Sequence, residues 1–161
     1  MKKILVCILA FLFVAGTAVP VFCGTEDTSL LTIQVQSISE LSVSGAPSNL
    51  AVSSAVAGSQ PVQVADNSTT YSVSTNGTNK IITGQLNADM PTGVTLYVNL
   101  AAPTGASSAG DVPLTNLAQN LVTGITGLAA SSKIITYKFS ANVTAGTMGL
   151  SSRTLTFTLT D

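Results

Sequence analysis

The chain has 161 residues, of which 8% are charged, and it contains no histidine and no tryptophan. Without histidine, Ser-His-Asp and Cys-His nucleophile systems and most zinc sites are excluded. Six basic residues against seven acidic ones, a formal net charge of −1, exclude a phosphate-tracking surface, so nucleic acid is not an expected partner.

The N-terminal residues predict a secretory signal peptide over residues 1–23. Lys2 and Lys3 precede an unbroken apolar run over residues 4–15. That run is too short to span a bilayer comfortably, which takes roughly 20 residues. We therefore expect an exported chain of bacterial type, located in the periplasm, at the cell surface or outside the cell, with no membrane span after cleavage.

Two cleavage sites fit the preference for small residues, after Ala18 or after Cys23. The second is favoured, because a polar stretch then opens the mature chain. Lipidation of Cys23 is an alternative, although the residue before a lipoprotein cysteine is normally small and here it is Phe22. Cleavage after Cys23 leaves 161 − 23 = 138 residues without cysteine, enough for a single domain over residues 24–161 without a disulfide.

Serine and threonine make up 40 of those 138 residues, which fits either a disordered stalk or the outer faces of β-sheets. A stalk would lack alternating β-branched residues and would carry proline repeats. Because alternating apolar residues persist along this chain, we expect a folded β domain with short hydroxyl side chains on its outer faces.

The segment after the leader predicts one long, two-faced strand over residues 31–43. Its apolar residues occupy odd positions: Leu31, Ile33, Val35, Leu41 and Val43. Polar residues take the even positions except at Ile38, where we expect a bulge or a bend. The predicted strand is long compared with the usual five or six residues or so.

An Asn-Gly pair at residues 76–77 predicts a tight β-hairpin. Tyr71 and Val73 alternate with polar residues before the pair, and Ile82 and Leu86 alternate after it. Asn-Gly readily takes the positive φ angles of a two-residue hairpin turn, so we expect the flanking strands to pair with each other.

Three later segments predict half-buried strands, at residues 94–100, 135–143 and 155–159. Between the first two, Thr115, Leu117 and Leu121 have the spacing of one short helical turn or a crossover. With seven to nine strands and at most one short helix, the sequence predicts an all-β protein. The expected fold is an antiparallel β-sandwich of immunoglobulin-like, Greek-key type.

No constellation of side chains predicts catalysis or a cofactor, so we expect a non-enzymatic protein. The acidic residues lie near turns or termini, and nothing in the sequence pairs two of them across a cleft. A Ca²⁺ site built from Asp66, Asp89 or Asp111 stays open, although no EF-hand loop is present. Tyr97 lies on the polar phase of its strand and is the best candidate for a surface contact.

The leader, the alternating N-terminal segment and the terminal strand at residues 155–159 together resemble bacterial fimbrial, pilin-like subunits. In chaperone–usher pilins, an incomplete immunoglobulin-like fold is completed by the N-terminal strand of the next subunit. The resemblance implies that Leu31, Ile33 and Val35 insert into a neighbour, and that like subunits or an assembly chaperone are the partners. The chain departs from many pilins in having no disulfide after cleavage and no penultimate tyrosine.

Two other interpretations stay open. Residues 31–43 are alternatively the first strand of a complete, monomeric sandwich. The chain is then an exported surface domain, or a secreted binding module or adhesin that uses Tyr97 and the loops around residues 103–113.

Overall fold

The structure is a computed structural model, and it describes residues 24–161. The predicted leader, residues 1–23, lies outside the described residues. The chain divides into two units, one ending at Gln34 and one running from Val35 to Asp161. The described part of the first unit, residues 24–34, contains no strand and no helix.

The second unit is built almost wholly from strands. In chain order they are β1 (Ser39–Ser44), β2 (Val64–Thr75), β3 (Lys80–Leu86), β4 (Val94–Leu100), β5 (Ser107–Ser108), β6 (Val112–Pro113), β7 (Gln119–Ile125), β8 (Leu128–Ala141) and β9 (Leu155–Thr160). One short 3₁₀ turn, Val143–Ala145, lies between β8 and β9. The prediction of an all-β chain with seven to nine strands is confirmed for residues 35–161.

The nine strands form two antiparallel sheets. One has the order β1-β2-β8-β4-β6 and the other the order β5-β7-β3-β9. Alternating residues of β2, β3, β4, β7 and β8 point between the sheets and are buried there. The predicted antiparallel β-sandwich is therefore confirmed.

Six of the nine strands correspond in order to strands A to F of an immunoglobulin-like sandwich, whereas β5, β6 and β7 have no counterpart in its seven-stranded arrangement. In constant-type domains, strands A, B, E and D form one sheet and C, F and G form the other. Here β1-β2-β8-β4 matches A-B-E-D, and β3-β9 matches C-F. Strand G would lie on the free side of β9, where the described residues contribute no strand. We call this free side of β9 the open edge.

The core lies between the sheets and is formed by residues from the apolar phase of each strand. Tyr71, Ile82, Val98, Leu121 and Ile135 are almost completely buried. Tyr137 and Phe139 are buried too, as their phase predicts, whereas Phe157 on β9 is only half-buried.

Gly84 of β3 lies beside the side chain of Leu121 on β7, the neighbouring strand of the same sheet. A Cβ atom at this position would lie 2.7 Å from Cδ1 of Leu121. A side chain at position 84 would therefore require Leu121 to move.

The expected long first strand is correct only in its second half. Strand β1 begins at Ser39, and residues 31–38 lie outside any strand. The reason is that its partner β2 ends at Thr75, opposite Ser39, so that no strand backbone remains to pair with earlier residues. No bulge is formed at Ile38, because this residue directly precedes the strand, which begins at Ser39.

The prediction of a hairpin at Asn76-Gly77 is wrong. Strand β2 pairs with β1 and β8, whereas β3 pairs with β7 and β9, so the turn is an arch that links the two sheets. The positive φ in this turn is found at Asn79, with a φ of 54°. The turn residues determine where the chain reverses, but burial of both strands determines which sheet each joins.

Of the two alternatives for residues 115–121, the helical turn is wrong and the crossover is present, since residues 114–118 connect β6 in one sheet to β7 in the other. Residues 119–125 form β7, which pairs with β3 and β5. A spacing of four places Leu117 and Leu121 on one face of a strand as readily as on one face of a helix. Pairing with β3 buries Leu121, while Leu117 precedes the strand and is exposed.

Burial of Tyr71 makes the stability of the fold sensitive to alkaline pH. Burial raises the pKa of Tyr71 to about 12, and its hydroxyl donates to the carbonyl oxygen of Ala101 at 2.7 Å. Below pH ~10 the phenol is protonated in both the folded and the unfolded chain. Between about pH 10 and 12 the unfolded chain loses this proton while the folded chain keeps it, so the free energy of unfolding falls as the pH rises.

We expect Tyr71→Phe to reduce this alkaline loss of stability, as measured by urea unfolding at several pH values. Some loss remains, because burial also raises the pKa of Tyr137. An unchanged slope in Tyr71→Phe would contradict the assignment of the effect to Tyr71.

Candidate assembly surface

The candidate insertion residues form an exposed apolar row at the N-terminus. The exposed fractions of Leu31, Ile33 and Val35 are 80%, 84% and 82%. Leu31 and Ile33 belong to the first unit, and Val35 begins the second. We call these three residues the N-terminal row.

The chain segment between the N-terminal row and β1 is held by the arch that follows β2. The side-chain amide of Asn76 donates to the carbonyl oxygen of Gln36 at 2.7 Å, and its Oδ1 accepts from the backbone N–H of Ile38 at 2.8 Å. The hydroxyl of Thr75 donates to the carbonyl oxygen of Ile38 at 2.9 Å. A side chain thus takes over the pairing role of the strand backbone at the point where β2 ends.

The open edge belongs to a strand with an incompletely covered apolar face. Strand β9 pairs with β3 alone among the described strands. Leu155, Phe157 and Leu159 point toward the core but remain partly exposed, while the threonines between them face outward. Strand β1, the edge of the other sheet, contacts β9 at this side of the sandwich.

A cavity of about 1040 Å³ opens at one end of the second unit. Its walls continue the two edge strands, since residues 46–55 follow β1 and residues 145–153 precede β9. Its floor is apolar and includes Met90, Leu96 and Phe139. The cavity therefore extends the space between the sheets beyond the end of the open edge.

The cavity has little charge. Among the described residues that line it, Arg153 alone carries a formal charge. The guanidinium of Arg153 donates to the hydroxyl of Ser151 and to the carbonyl oxygen of Ser152, both at 3.0 Å. A cavity of this kind favours apolar side chains over a charged ligand.

Tyr97, the candidate surface contact, lies on the outward phase of β4 and is half-buried. Its position in the sheet is opposite Pro113 of β6 on one side and Lys138 of β8 on the other. It lies on a different sheet from β9 and does not line the cavity. The structure therefore places Tyr97 away from both the open edge and the cavity.

The three candidate calcium ligands have separate local partners. Asp66 accepts from the N–H and the hydroxyl of Ser68, which lower the pKa of the Asp66 carboxyl. Asp89 accepts from the N–H of Asn116 at 2.7 Å. No three acidic, histidine or cysteine side chains converge on one point within residues 24–161.

Asp111 is held by an ion pair rather than by other acids. The ammonium of Lys138, followed by the side-chain amide of Asn99, lowers the pKa of the Asp111 carboxyl. These interactions join the loop before β6 to strands β4 and β8 on the outer face of their sheet.

The sequence interpretation missed two parts of this surface. Asn76 was assigned only to a turn, because nothing in a sequence shows that an asparagine amide will bond to a segment 38 residues away. The cavity combines residues from three distant stretches of chain, and only the apolar phase of β4 and β8 indicated its floor.

Within residues 24–161, no helix is long and apolar enough to cross a membrane. Comparisons with protein-family models, with curated proteins and with solved structures gave no match to this chain. The fold and the surface thus define a class, an all-β sandwich with a partly exposed apolar face on the edge strand β9 and an exposed N-terminal apolar row.

Proposed function

We propose that this chain is an exported, non-enzymatic structural subunit that assembles through its N-terminal segment. In this assembly, Leu31, Ile33 and Val35 of one copy lie along the open edge of the next copy and add a strand at the position of strand G. The observation that carries the proposal is the partly exposed apolar face of β9, which pairs only with β3 among the described strands, in a chain with an exposed apolar row.

The two surfaces correspond in length and in period. The six-residue strand β9 has three core-facing apolar residues at every second position, and the N-terminal row has the same spacing. An added strand would bond to the unpaired backbone groups of β9 and place its apolar side chains between the sheets. The outward-facing residues of such a strand, Thr32 and Gln34, are polar like the threonines of β9.

The topology favours one direction for the added strand. Ser39 of β1 and Thr160 of β9 lie at the end of the sandwich that carries the arch at residues 76–79, because Ser39 pairs with Thr75 and Thr160 with Ile81. The N-terminal segment leaves the second unit at this end. A strand antiparallel to β9 therefore brings the donor copy to the opposite end of the acceptor, beside the cavity.

Antiparallel addition leaves the N-terminal segment of the acceptor copy free to reach a further copy, so the assembly grows as an open, head-to-tail chain. Parallel addition brings donor and acceptor together at their arch ends, where two copies can exchange segments and close as a dimer. Antiparallel pairs are slightly more stable per residue, which favours the open chain.

The test compares the mature chain with two deletions by light scattering and thermal unfolding. We expect the mature chain to form a series of multimers that survives SDS, and a deletion of residues 24–34 to give a less stable monomer. A deletion of residues 24–28, which removes only the polar lead before the row, should leave the multimers in place. A discrete dimer would indicate closed exchange, and a stable monomer of the mature chain would overturn the proposal.

A further inference from the structure

We propose that Asn76 is a modification site whose spontaneous deamidation loosens residues 36–38, which we call the root of the N-terminal segment. Any effect of this loosening on assembly rests on the proposed function, whereas the deamidation and the loosening themselves do not. Asn76 is the one asparagine in the sequence that is followed by glycine, and its side chain is exposed to water in the arch after β2.

The root of the segment is held by the arch. The Asn76 side chain forms two of the hydrogen bonds: its amide donates to the carbonyl oxygen of Gln36, and its Oδ1 accepts from the N–H of Ile38. The backbone N–H of Asn76 adds a longer bond of 3.3 Å to the carbonyl oxygen of Ile38, which the Thr75 hydroxyl also reaches. We call this set of bonds the clasp.

The sequence at the clasp is chemically labile. The backbone nitrogen of Gly77, after losing its proton to hydroxide or another base from solvent, can attack Cγ of Asn76 and form a new C–N bond. The Cγ–Nδ2 bond then breaks, and the nitrogen takes up a proton from water and leaves as ammonia. Water then opens the resulting succinimide ring to give aspartate or isoaspartate. The N–H of Gly77 donates to the Thr75 hydroxyl at 3.0 Å, so the intact arch restrains this nitrogen.

Both products weaken the clasp. Aspartate retains an oxygen that accepts from Ile38, but it replaces the amide donor with a carboxylate oxygen facing the carbonyl oxygen of Gln36. Two acceptors at such a distance repel each other, and the bond at 2.7 Å is lost. Isoaspartate routes the main chain through the side-chain carbons of Asn76, which lengthens the arch and displaces both bonds.

The clasp is tested in Ile33→Asp, a background in which assembly is disabled. We expect the amide hydrogen of Ile38 to exchange about fivefold to tenfold faster in Asn76→Ala than in the parent, since one hydrogen bond is lost. Asn76→Asp should keep the slow exchange of Ile38 but increase the picosecond mobility of Gln36 and Ser37 in ¹⁵N relaxation. Asn116→Ala, at an exposed loop asparagine, is the control. Equal Ile38 exchange in Asn76→Ala and in this control would overturn the clasp.

The modification is tested on the full mature chain by peptide mass mapping during incubation in mildly alkaline buffer. We expect Asn76 to be the first asparagine to convert, and to convert faster in Thr75→Val, which lacks the hydroxyl that restrains Gly77. Conversion of another asparagine first, or equal rates in Thr75→Val and the natural chain, would overturn the assignment. Neither readout depends on assembly. A mature chain that is monomeric but has a labile Asn76 would therefore refute the proposed function and leave the modification site in place.

Discussion

Replacing Ile33 with aspartate is expected to abolish assembly while leaving the second unit folded. Ile33 is 84% exposed in the single chain, so the change costs the isolated copy little. In the proposed assembly the same side chain lies between the sheets of a neighbour, where an unpaired carboxylate costs several kcal/mol. Affinity between copies should fall by roughly 100-fold or more, measured as loss of multimers by analytical ultracentrifugation.

Thr32→Asp is the matched control for this prediction. It introduces the same charge one residue away, on the polar phase of the segment that would face solvent in the assembled strand. Multimers should therefore persist in Thr32→Asp. Equal loss in both variants would show that charge near the N-terminus, rather than insertion of the apolar row, controls association.

The second large effect is expected at Gly93, which lies beside the cavity wall before β4. Its φ is +83°, and a Cβ atom there would lie 2.7 Å from the backbone nitrogen of Ala145 and 2.7 Å from Oδ1 of Asn142. A backbone neighbour cannot move aside as a flexible side chain can. Strain of about 1–2 kcal/mol from the left-handed conformation and a similar or larger cost from the overlap predict that Gly93→Ala lowers the free energy of unfolding by about 2–5 kcal/mol.

Gly105→Ala separates strain from overlap. Gly105 has a nearly identical φ of +86°, but no atom lies within 4 Å of the position of its Cβ. Urea unfolding should therefore show a loss of only about 1–2 kcal/mol. Equal losses in the two variants would mean that residues 142–145 do not pack against Gly93 as described.

The strands whose local pattern agrees with their burial could be predicted from the sequence. In β4 and β9 every second residue is apolar and points between the sheets, so that the alternation gives both the element and its face. Tyr71 and Tyr137 likewise lie on the apolar phase of their strands and are buried in the core. These elements could be predicted because each one satisfies its local preference and the packing of the whole fold together.

The features that could not be predicted depend on contacts between distant parts of the chain, which the local sequence pattern does not specify. Alternation over residues 31–35 indicates two unlike faces, but not which surface covers the apolar one. The Asn76-Gly77 pair specifies a reversal of the chain, but not whether the flanking strands share a sheet. Similarly, the side chain of Asn76 can bond to Gln36 and Ile38 because β2 ends at the preceding residue, Thr75. Where β2 ends is a property of the tertiary fold.

Complementation by a peptide tests the central claim most directly. A synthetic peptide of residues 24–37 would be added to the Ile33→Asp chain, whose own segment is disabled, and thermal unfolding and binding would be followed. We expect one peptide per chain and an increase in Tm of about 10 °C at a free peptide concentration near 100 Kd. The same peptide carrying Ile33→Asp should have no effect. Absence of binding by the natural peptide to the folded chain would contradict the account.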